Sequence, residues 1–269
     1  MPRERVPELD ILVRIAHVVE SRVAQERMSP HPFKVVAMSA GGTPTEEADR
    51  VAEAQVLSYL EQEGLDWDVL SEELGYVRRG GKKILVVDPI DGSSNFLNDI
   101  PIASVSLALG NGNLSGIDIG VVHDLYGGKT FWAVKGGGAY LNGHRITPRP
   151  WRPGRDLYFL NLNTHSTERT RALAARAMRV RSLGCASLEM AMVASGCGDL
   201  YYSESAQAKS NLRVTDIAAA RLILTEAGGG VARGDGTPLD LKLNIDERTS
   251  VLAWGSQALF DDGRSKGLW

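Results

Sequence analysis

The 269-residue chain has little of what several protein classes depend on. It carries only two cysteines, Cys185 and Cys197. Placed on or at the end of a helix predicted over 184–196, they would stand ~18 Å apart at 1.5 Å per residue. A disulfide needs Cα atoms within ~7 Å, so no intrachain bridge is expected and both read as buried thiols. There is no excess of basic charge: 30 Lys and Arg stand against 33 Asp and Glu, a formal net charge of −3. That lacks the footprint of a nucleic-acid binder. No apolar run approaches ~20 residues, which argues against a transmembrane helix. The first residues, Met1-Pro-Arg-Glu-Arg, are polar and hold no signal-peptide core. The expectation is a cytoplasmic protein with neither a membrane nor a nucleic-acid partner.

What is present suits a packed globular chain, with 43% hydrophobic and 23% charged residues. The length allows one large or two small packed units. Leu9, Leu12, Val13, Ala16, Val19 and Val23 recur at helical spacing and predict a helix over 7–28, ended by Pro30 and Pro32. Thr45 opens a second helix running to about Glu63, with Glu46 and Glu47 in its first turn. Apolar segments Trp67–Leu70 and Ile84–Val87 predict buried strands. Residues 102–109, 117–123 and 129–134 predict antiparallel strands separated by Asn/Gly-rich turns. Pro148, Pro150 and Pro153 mark a boundary between halves 1–148 and 149–269. The second half alternates: strand Leu157–Leu162, helix Glu168–Met178, helix 184–196, strand Leu200–Tyr202, helix Val214–Ala227 closed by Gly228-Gly-Gly230, and a last strand at 250–254. The mixture predicts layered α/β sheets.

One octapeptide carries most of the chemistry: Asp88-Pro-Ile-Asp91-Gly-Ser-Ser-Asn95, directly after the apolar strand. Two carboxylates and the Ile90 carbonyl at a strand's end suit a hard divalent cation, which wants oxygen ligands in near-octahedral geometry. Gly92-Ser93-Ser94 offers unobstructed backbone N–H groups, which at the start of a helix turn favour phosphate. An Asx turn is the bland alternative for such a stretch. Three weaker signals accompany it. Ser71-Glu72-Glu73 follows another strand, Asp216 sits in the first turn of the Val214–Ala227 helix, and Asp49 lies on the second helix. Taken singly, each reads as a solvated acid or a helix cap. The five histidines, His17, His31, His123, His144 and His165, are scattered without ligand spacing and read as structural or surface residues. A mildly acidic protein that handles phosphate must draw it in locally, with metal ions or a few placed cations.

In order, Gly42-Thr-Pro-Thr45 with Asp49, Ser71-Glu72-Glu73, Asp88 to Phe96, and Arg213-Val-Thr-Asp216 with Glu226-Ala-Gly-Gly229 resemble the inositol monophosphatase / fructose-1,6-bisphosphatase superfamily. The Gly-Thr-Pro-Thr loop and Arg-Val-Thr-Asp look most like its archaeal dual-activity branch. The resemblance runs from residue 7 to about 260. It implies a five-layer αβαβα sandwich and a homodimer. It also implies that Glu72, Asp88, Asp91, Asp216 and the Ile90 carbonyl hold two Mg²⁺ ions, Glu72 lying near a third, with Mn²⁺ as a substitute. By the same resemblance Asp49 and Ser93 orient and deprotonate the attacking water, with Glu72 counted among the catalytic groups. Asp91, Gly92, Ser93, Ser94, Arg181 and Lys209 meet the substrate. Inhibition by Li⁺ is implied too.

Two positions depart from that branch. Gly41 stands where an Asp near the third metal is usual. Lys209 stands where the branch has an Arg, and a point charge lacks the guanidinium's bidentate fork. The expected activity is Mg²⁺-dependent hydrolysis of a small phosphorylated sugar or polyol, inositol monophosphate or fructose 1,6-bisphosphate, by in-line attack of water. A 3′-phosphorylated nucleotide such as 3′-phosphoadenosine 5′-phosphate is the competing substrate. A non-catalytic interaction protein of the same fold is the competing class, which the intact carboxylate set disfavours.

Overall fold

The computed structural model describes residues 6–27, 35–38 and 44–269. Its helices are α1 (Pro7–Arg27), α2 (Glu47–Gln62), α3 (Ser93–Leu97), α4 (Glu168–Arg176), α5 (Ala186–Ala194), α6 (Val214–Ala227) and α7 (Gln257–Ser265). Strands β1 (Val35–Met38) and β2 (Pro44–Glu46) pair with each other. Strands β3 (Asp68–Ser71), β4 (Gly75–Val77), β5 (Ile84–Asp91), β6 (Ser104–Gly110), β7 (Ile117–Asp124), β8 (Thr130–Val134), β9 (Gly138–Leu141) and β10 (His144–Arg145) follow. They form one sheet in the order β10-β9-β8-β7-β6-β5-β3-β4, antiparallel except for the β3–β5 pair. The remaining strands are β11 (Leu157–Leu160), β12 (Arg179–Arg181), β13 (Leu200–Ser203), β14 (Leu212–Arg213), β15 (Gly230–Ala232), β16 (Arg248–Thr249) and β17 (Val251–Trp254). β14 and β16 pair alone, and the others build a second sheet in the order β12-β11-β13-β17-β15.

The strand period of two divides the large sheet between two cores. Leu85, Val87, Val105, Leu107, Ile119 and Val121 pack under α1 and α2. Their neighbours Val86, Ala108 and Val122 face the other way, into a core shared with α5, α6 and the inner face of the second sheet, including Phe159, Tyr201 and Ala253. The outer face of the second sheet buries Tyr158, Tyr202 and Leu252 against Leu173 of α4 and Leu259 and Phe260 of α7. The stack is therefore α–β–α–β–α, the predicted five layers. α5 and α6 form the middle layer and are buried nearly all round, as apolar sequences such as Ile217–Leu224 require.

The element edges differ from the sequence reading where tertiary contacts override local signals. α1 ends at Arg27 and α2 begins at Glu47, with Thr45 in β2. The helix at 184–196 is the shorter Ala186–Ala194. β1, β2, β4, β9, β10, β12, β14, β15, β16 and α7 are additional elements; these strands are two to four residues long, too short to show a period. α7 carries Asp261-Asp262-Gly263, which reads locally as a turn, yet Gly263 is needed because the Trp269 ring packs where a Cβ would stand. Phe96, Ala103, Val105 and Leu107 are core residues, leaving Ile100 as the exposed apolar side chain of that stretch. Cys185 is buried but Cys197 is exposed, which corrects the expectation of two buried thiols. Among the described residues no helix is long and apolar enough to cross a membrane.

α6 lies so close to β7 that a Cβ on Gly120 would stand 2.8 Å from the Ala219 carbonyl oxygen. Neither side can yield, because the carbonyl belongs to the backbone of α6 and the Cβ would be fixed directly to the backbone of β7, both inside packed elements. Gly120→Ala is expected to destabilise the protein by about 1–3 kcal/mol, measured as a lowered midpoint in urea unfolding with unchanged slope.

Candidate metal centre

The DPID segment is not a loop beyond the strand; it is the end of β5. Along β6 the partners of Asp88 and Asp91 are Ser106 and Ser104, two residues apart, whereas the aspartates are three apart. The extra residue is a β-bulge, and Pro89, which has no N–H to give a ladder, sits in it. In a regular strand residues three apart point to opposite faces. The bulge restores both aspartates to one face, the side of α5 and α6. Both side chains are buried, as is the Ile90 side chain between them.

Glu72 arrives from β3. Ser71 faces α2, where its hydroxyl donates to Glu53, and the next residue alternates to the other side. Glu53 also accepts from the Leu74 amide at 3.3 Å, so one buried carboxyl holds the whole Ser71-Glu72-Glu73 corner. Asp216 is the third residue of α6. It accepts from the Arg213 amide at 2.9 Å and from the Thr215 hydroxyl at 3.0 Å. The carboxylates of Glu72, Asp88 and Asp216 offer oxygens that all lie within 4.8 Å of one another. Asp49, in the first turn of α2, is buried and close enough to act on Asp88 electrostatically.

Asp91 stands beside this trio and caps α5. Its carboxylate accepts from the Ser187 amide and hydroxyl, each at 2.6 Å, and from the Ala186 amide at 3.2 Å. The N-termini of α2, α5 and α6 therefore all meet the acidic cluster, where their dipoles favour negative charge. Gly92 follows at φ 88° and starts the helical turn α3, so Ser93 and Ser94 do present first-turn N–H groups at the surface. A Cβ at Gly92 would meet the Ile102 carbonyl at 3.0 Å and the Gly184 carbonyl at 3.3 Å. Asn95 ties this turn to the second half by donating to the Leu183 carbonyl at 2.6 Å and the Ile102 carbonyl at 3.0 Å.

Other predicted residues lie further out. Arg181 ends the edge strand β12, is exposed, and bonds the Val180 carbonyl at 2.8 Å, just before the Leu183-Gly184 segment that Asn95 grips. Lys209 is exposed on the one-turn segment Ala208–Ser210 leading to β14. Gly41 lies outside the described residues. Sequence reasoning assigned no role to Arg213, Glu53, Asn95 or Glu189. Arg213 pairs with Glu72 through its guanidinium. Glu189 accepts from the Leu183 amide at 3.0 Å and the Cys185 amide at 3.3 Å, fixing the loop that meets Gly92. Glu53 was visible one helical turn after Asp49, a spacing that puts both on one face. Of the five histidines, His31 lies outside the described residues. His144 and His165 are surface or half-buried, but His17 and His123 meet around Glu20.

Burial and mutual repulsion govern the electrostatics. Burial first, then the charges of Asp91, Asp216, Asp49 and Glu73, push Asp88 well above the carboxylate range. Burial raises Asp91 to about 6 against the opposing Ser187 hydrogen bonds. Burial raises Asp216 too, against the Arg213 amide. Such a set must either take up protons or hold a cation. The donors are all oxygens, from three separate elements, which fits a hard divalent ion rather than a thiolate- or imidazole-loving one.

The profile of the inositol monophosphatase family matches residues 7–255 of this chain. A fructose-1,6-bisphosphatase/inositol-1-monophosphatase of Methanothermobacter thermautotrophicus is 34% identical, the alignment covering 93% of each chain. A bifunctional NADP phosphatase/NAD kinase of Methanocaldococcus jannaschii is 31% identical over 81% of this chain and 43% of its own. A solved structure of an inositol monophosphatase–fructose 1,6-bisphosphatase superposes with a TM-score of 0.80 at 29% identity, covering 94% of this chain and 96% of that one.

Two outcomes are expected from this geometry. Asp91 near 6, Glu189 near 7 and Glu53 near 8 all hold protons more tightly folded than unfolded. With divalent ions chelated, their stabilising contribution is complete below about pH 4 and is lost as pH rises through 6–8. The melting temperature in EDTA should therefore fall between pH 6 and 8.5, while saturating Mg²⁺ should raise it most at the higher pH. Glu53→Gln keeps the Oε1 acceptor and is expected to preserve Mg²⁺ affinity. Glu53→Ala frees the Glu72 corner and should weaken it ~10–100-fold, the usual cost of losing a metal ligand's hydrogen-bonding support, read by Mg²⁺ titration of the melting temperature.

Proposed function

The chain belongs to the inositol monophosphatase family, and on that premise we propose that it is a Mg²⁺-dependent phosphatase of small phosphorylated polyols and sugars. It is a phosphoric monoester hydrolase by this reading, with inositol monophosphate and fructose 1,6-bisphosphate as its substrates. The observation that carries the proposal is the convergence of Glu72, Asp88 and Asp216 within 4.8 Å at the end of the sheet, next to the Gly92-Ser93-Ser94 turn.

Glu72, Asp88, Asp91, Asp216 and the Ile90 carbonyl would hold two Mg²⁺ ions, with Glu72 also facing a third. Bound there, the ions would neutralise the phosphate dianion, acidify a water and stabilise the departing alkoxide. Asp91 is fixed in place by the α5 amides and Ser187, so its orientation is set before any ligand enters. Asp49 and Ser93 hold the attacking water, and the acid on α2 takes its proton. The N–H groups of Gly92, Ser93 and Ser94 bind the phosphate oxygens. Substrate hydroxyls or a second phosphate meet Arg181 and Lys209, both exposed. Arg213 competes with cations for Glu72 and so raises the ion concentration needed to fill the site. A homodimer and a cytoplasmic location belong to the same reading.

A second reading has a specific support, the likeness to part of a bifunctional NADP phosphatase/NAD kinase. It keeps the metal chemistry and exchanges the sugar for a nucleotide 2′- or 3′-phosphate. Tyr158, Tyr201 and Tyr202 in the substrate-side half are fully buried core residues rather than a stacking platform for a base, which favours the sugar.

Phosphate release from inositol 1-phosphate, fructose 1,6-bisphosphate, NADP and 3′-phosphoadenosine 5′-phosphate separates these readings. Mg²⁺-dependent turnover of the first two is expected. Asp88→Asn should lower it ~100-fold or more, since losing even an outer partner of a metal ligand costs ~10–100-fold. Turnover of the nucleotides alone would replace the sugar reading, and folded protein inactive on all four would refute the proposal.

A further inference from the structure

On the opposite face of the large sheet, three side chains converge that the phosphatase chemistry does not use. Ile119 and Val121 of β7 pack under α1, and the next residue of that row is His123. Its side chain is fully buried. Above it, α1 presents His17 and Glu20, three residues apart and therefore on one helix face. The His17 and His123 rings stand edge to face with centroids 4.7 Å apart.

The contacts around Glu20 point to a cation. Its Oε2 lies 3.3 Å from His17 Nδ1 and 3.2 Å from His123 Nε2. His123 Nε2 is buried and makes no hydrogen bond among the described residues. The other ring nitrogen, Nδ1, sits 2.8 Å from the hydroxyl of Thr130, its cross-strand partner on β8. In the tautomer whose Nδ1–H donates to that hydroxyl, the Nε2 lone pair stands 3.2 Å from the carboxylate oxygen, and either a proton or a metal cation between the two relieves the opposition of acceptors. A hydrogen bond on the far nitrogen is also the arrangement that orients metal-ligating histidines. Donors ~2.0–2.1 Å from a tetrahedral ion stand about 3.3 Å apart, close to both measured separations, and all three ligand atoms lie within 4.8 Å of one another.

We propose that His17, Glu20 and His123 form a second metal site, separate from the carboxylate cluster, which takes Zn²⁺ and ties α1 to the eight-stranded sheet. Two imidazoles and one carboxylate suit Zn²⁺ and its neighbours in the first transition row, whereas Mg²⁺ prefers all-oxygen sites. The exposed His17 edge gives the ion entry. The site lies one rung of the sheet from the catalytic face: His123 pairs with Val105, and the adjacent Ser104 pairs with both Asp124 and Asp91. A bound ion therefore fixes the strand end that carries Asp91 from the other side.

The full chain is first saturated with Mg²⁺, which occupies the carboxylate cluster, and then titrated with Co²⁺ as a spectroscopic probe. Visible d–d absorption of imidazole-bound Co²⁺ is expected, displaced by Zn²⁺. His17→Ala, a change at an exposed position, should weaken Co²⁺ binding at least ~10-fold and abolish any rise in melting temperature on Zn²⁺ addition. Asp88→Asn should leave both signals intact. Absence of the absorption, its persistence in His17→Ala, or its loss in Asp88→Asn would each overturn the proposal.

Discussion

The structure turns on the cost of burying like charges together. Asp88, Asp91 and Asp216 occupy one end of one sheet face, each destabilised in its ionised form by burial, Asp88 also by the charges of Asp91 and Asp216, and Asp91 by that of Asp216. Such an arrangement persists only if the surrounding chain opposes the repulsion. Here the opposition comes from the ends of helices. Asp91 takes the first amides of α5, Asp216 closes the capping box of α6 with the Arg213 amide, and the Arg213 guanidinium pairs with Glu72. The middle helical layer, apolar nearly everywhere else, aims its polar ends at this one point. That places the acids where a bound divalent cation would supply the charge that the protein itself provides only in part.

The bulge at Pro89 and the glycine at 92 make that placement possible. Without the extra residue, Asp91 would point into the apolar core under α1 and α2. Gly92 must then turn the chain at a positive φ while the Ile102 and Gly184 carbonyls press close, and Asn95 fastens the same turn to Leu183. Residues from both sheets thus close on a short stretch of main chain. A substitution anywhere in the Gly92–Gly184 contact would shift the aspartates relative to α5, so stability and site geometry are coupled at this seam.

Much of this was legible in the sequence. The octapeptide behind an apolar strand, and an acid in the first turn of α6, marked acids that the fold brings together, because strand ends and helix starts are read from local patterns. The layered architecture followed from the alternation of strands and helices, with the family resemblance supplying the number of layers. What escaped was set by distant contacts. Glu53 reads as one helix acid among several until Ser71 is found against it. Arg213 reads as a helix flank until Glu72 arrives from β3, which lies over a hundred residues earlier. Cys197 was expected to be buried at the end of a helix over 184–196 that in fact stops at Ala194. The histidines show the limit most clearly: His17 and His123 have no ligand spacing in sequence, and only the packing of α1 over β7 makes them neighbours.

The two faces of the large sheet also explain why a hard and a softer ion need not compete. Alternation along β5 and β6 sends Asp88 and Ser106 to the side of α5 and α6, where the three clustered donors of Glu72, Asp88 and Asp216 are oxygens. Alternation along β7 sends His123 to the side of α1, where two of three donors are nitrogens. The two sets lie on opposite faces and adjacent rungs of one sheet, so each face can be tuned by substitution without changing the donor chemistry of the other. Position along a strand selects the face, and the face selects the ion.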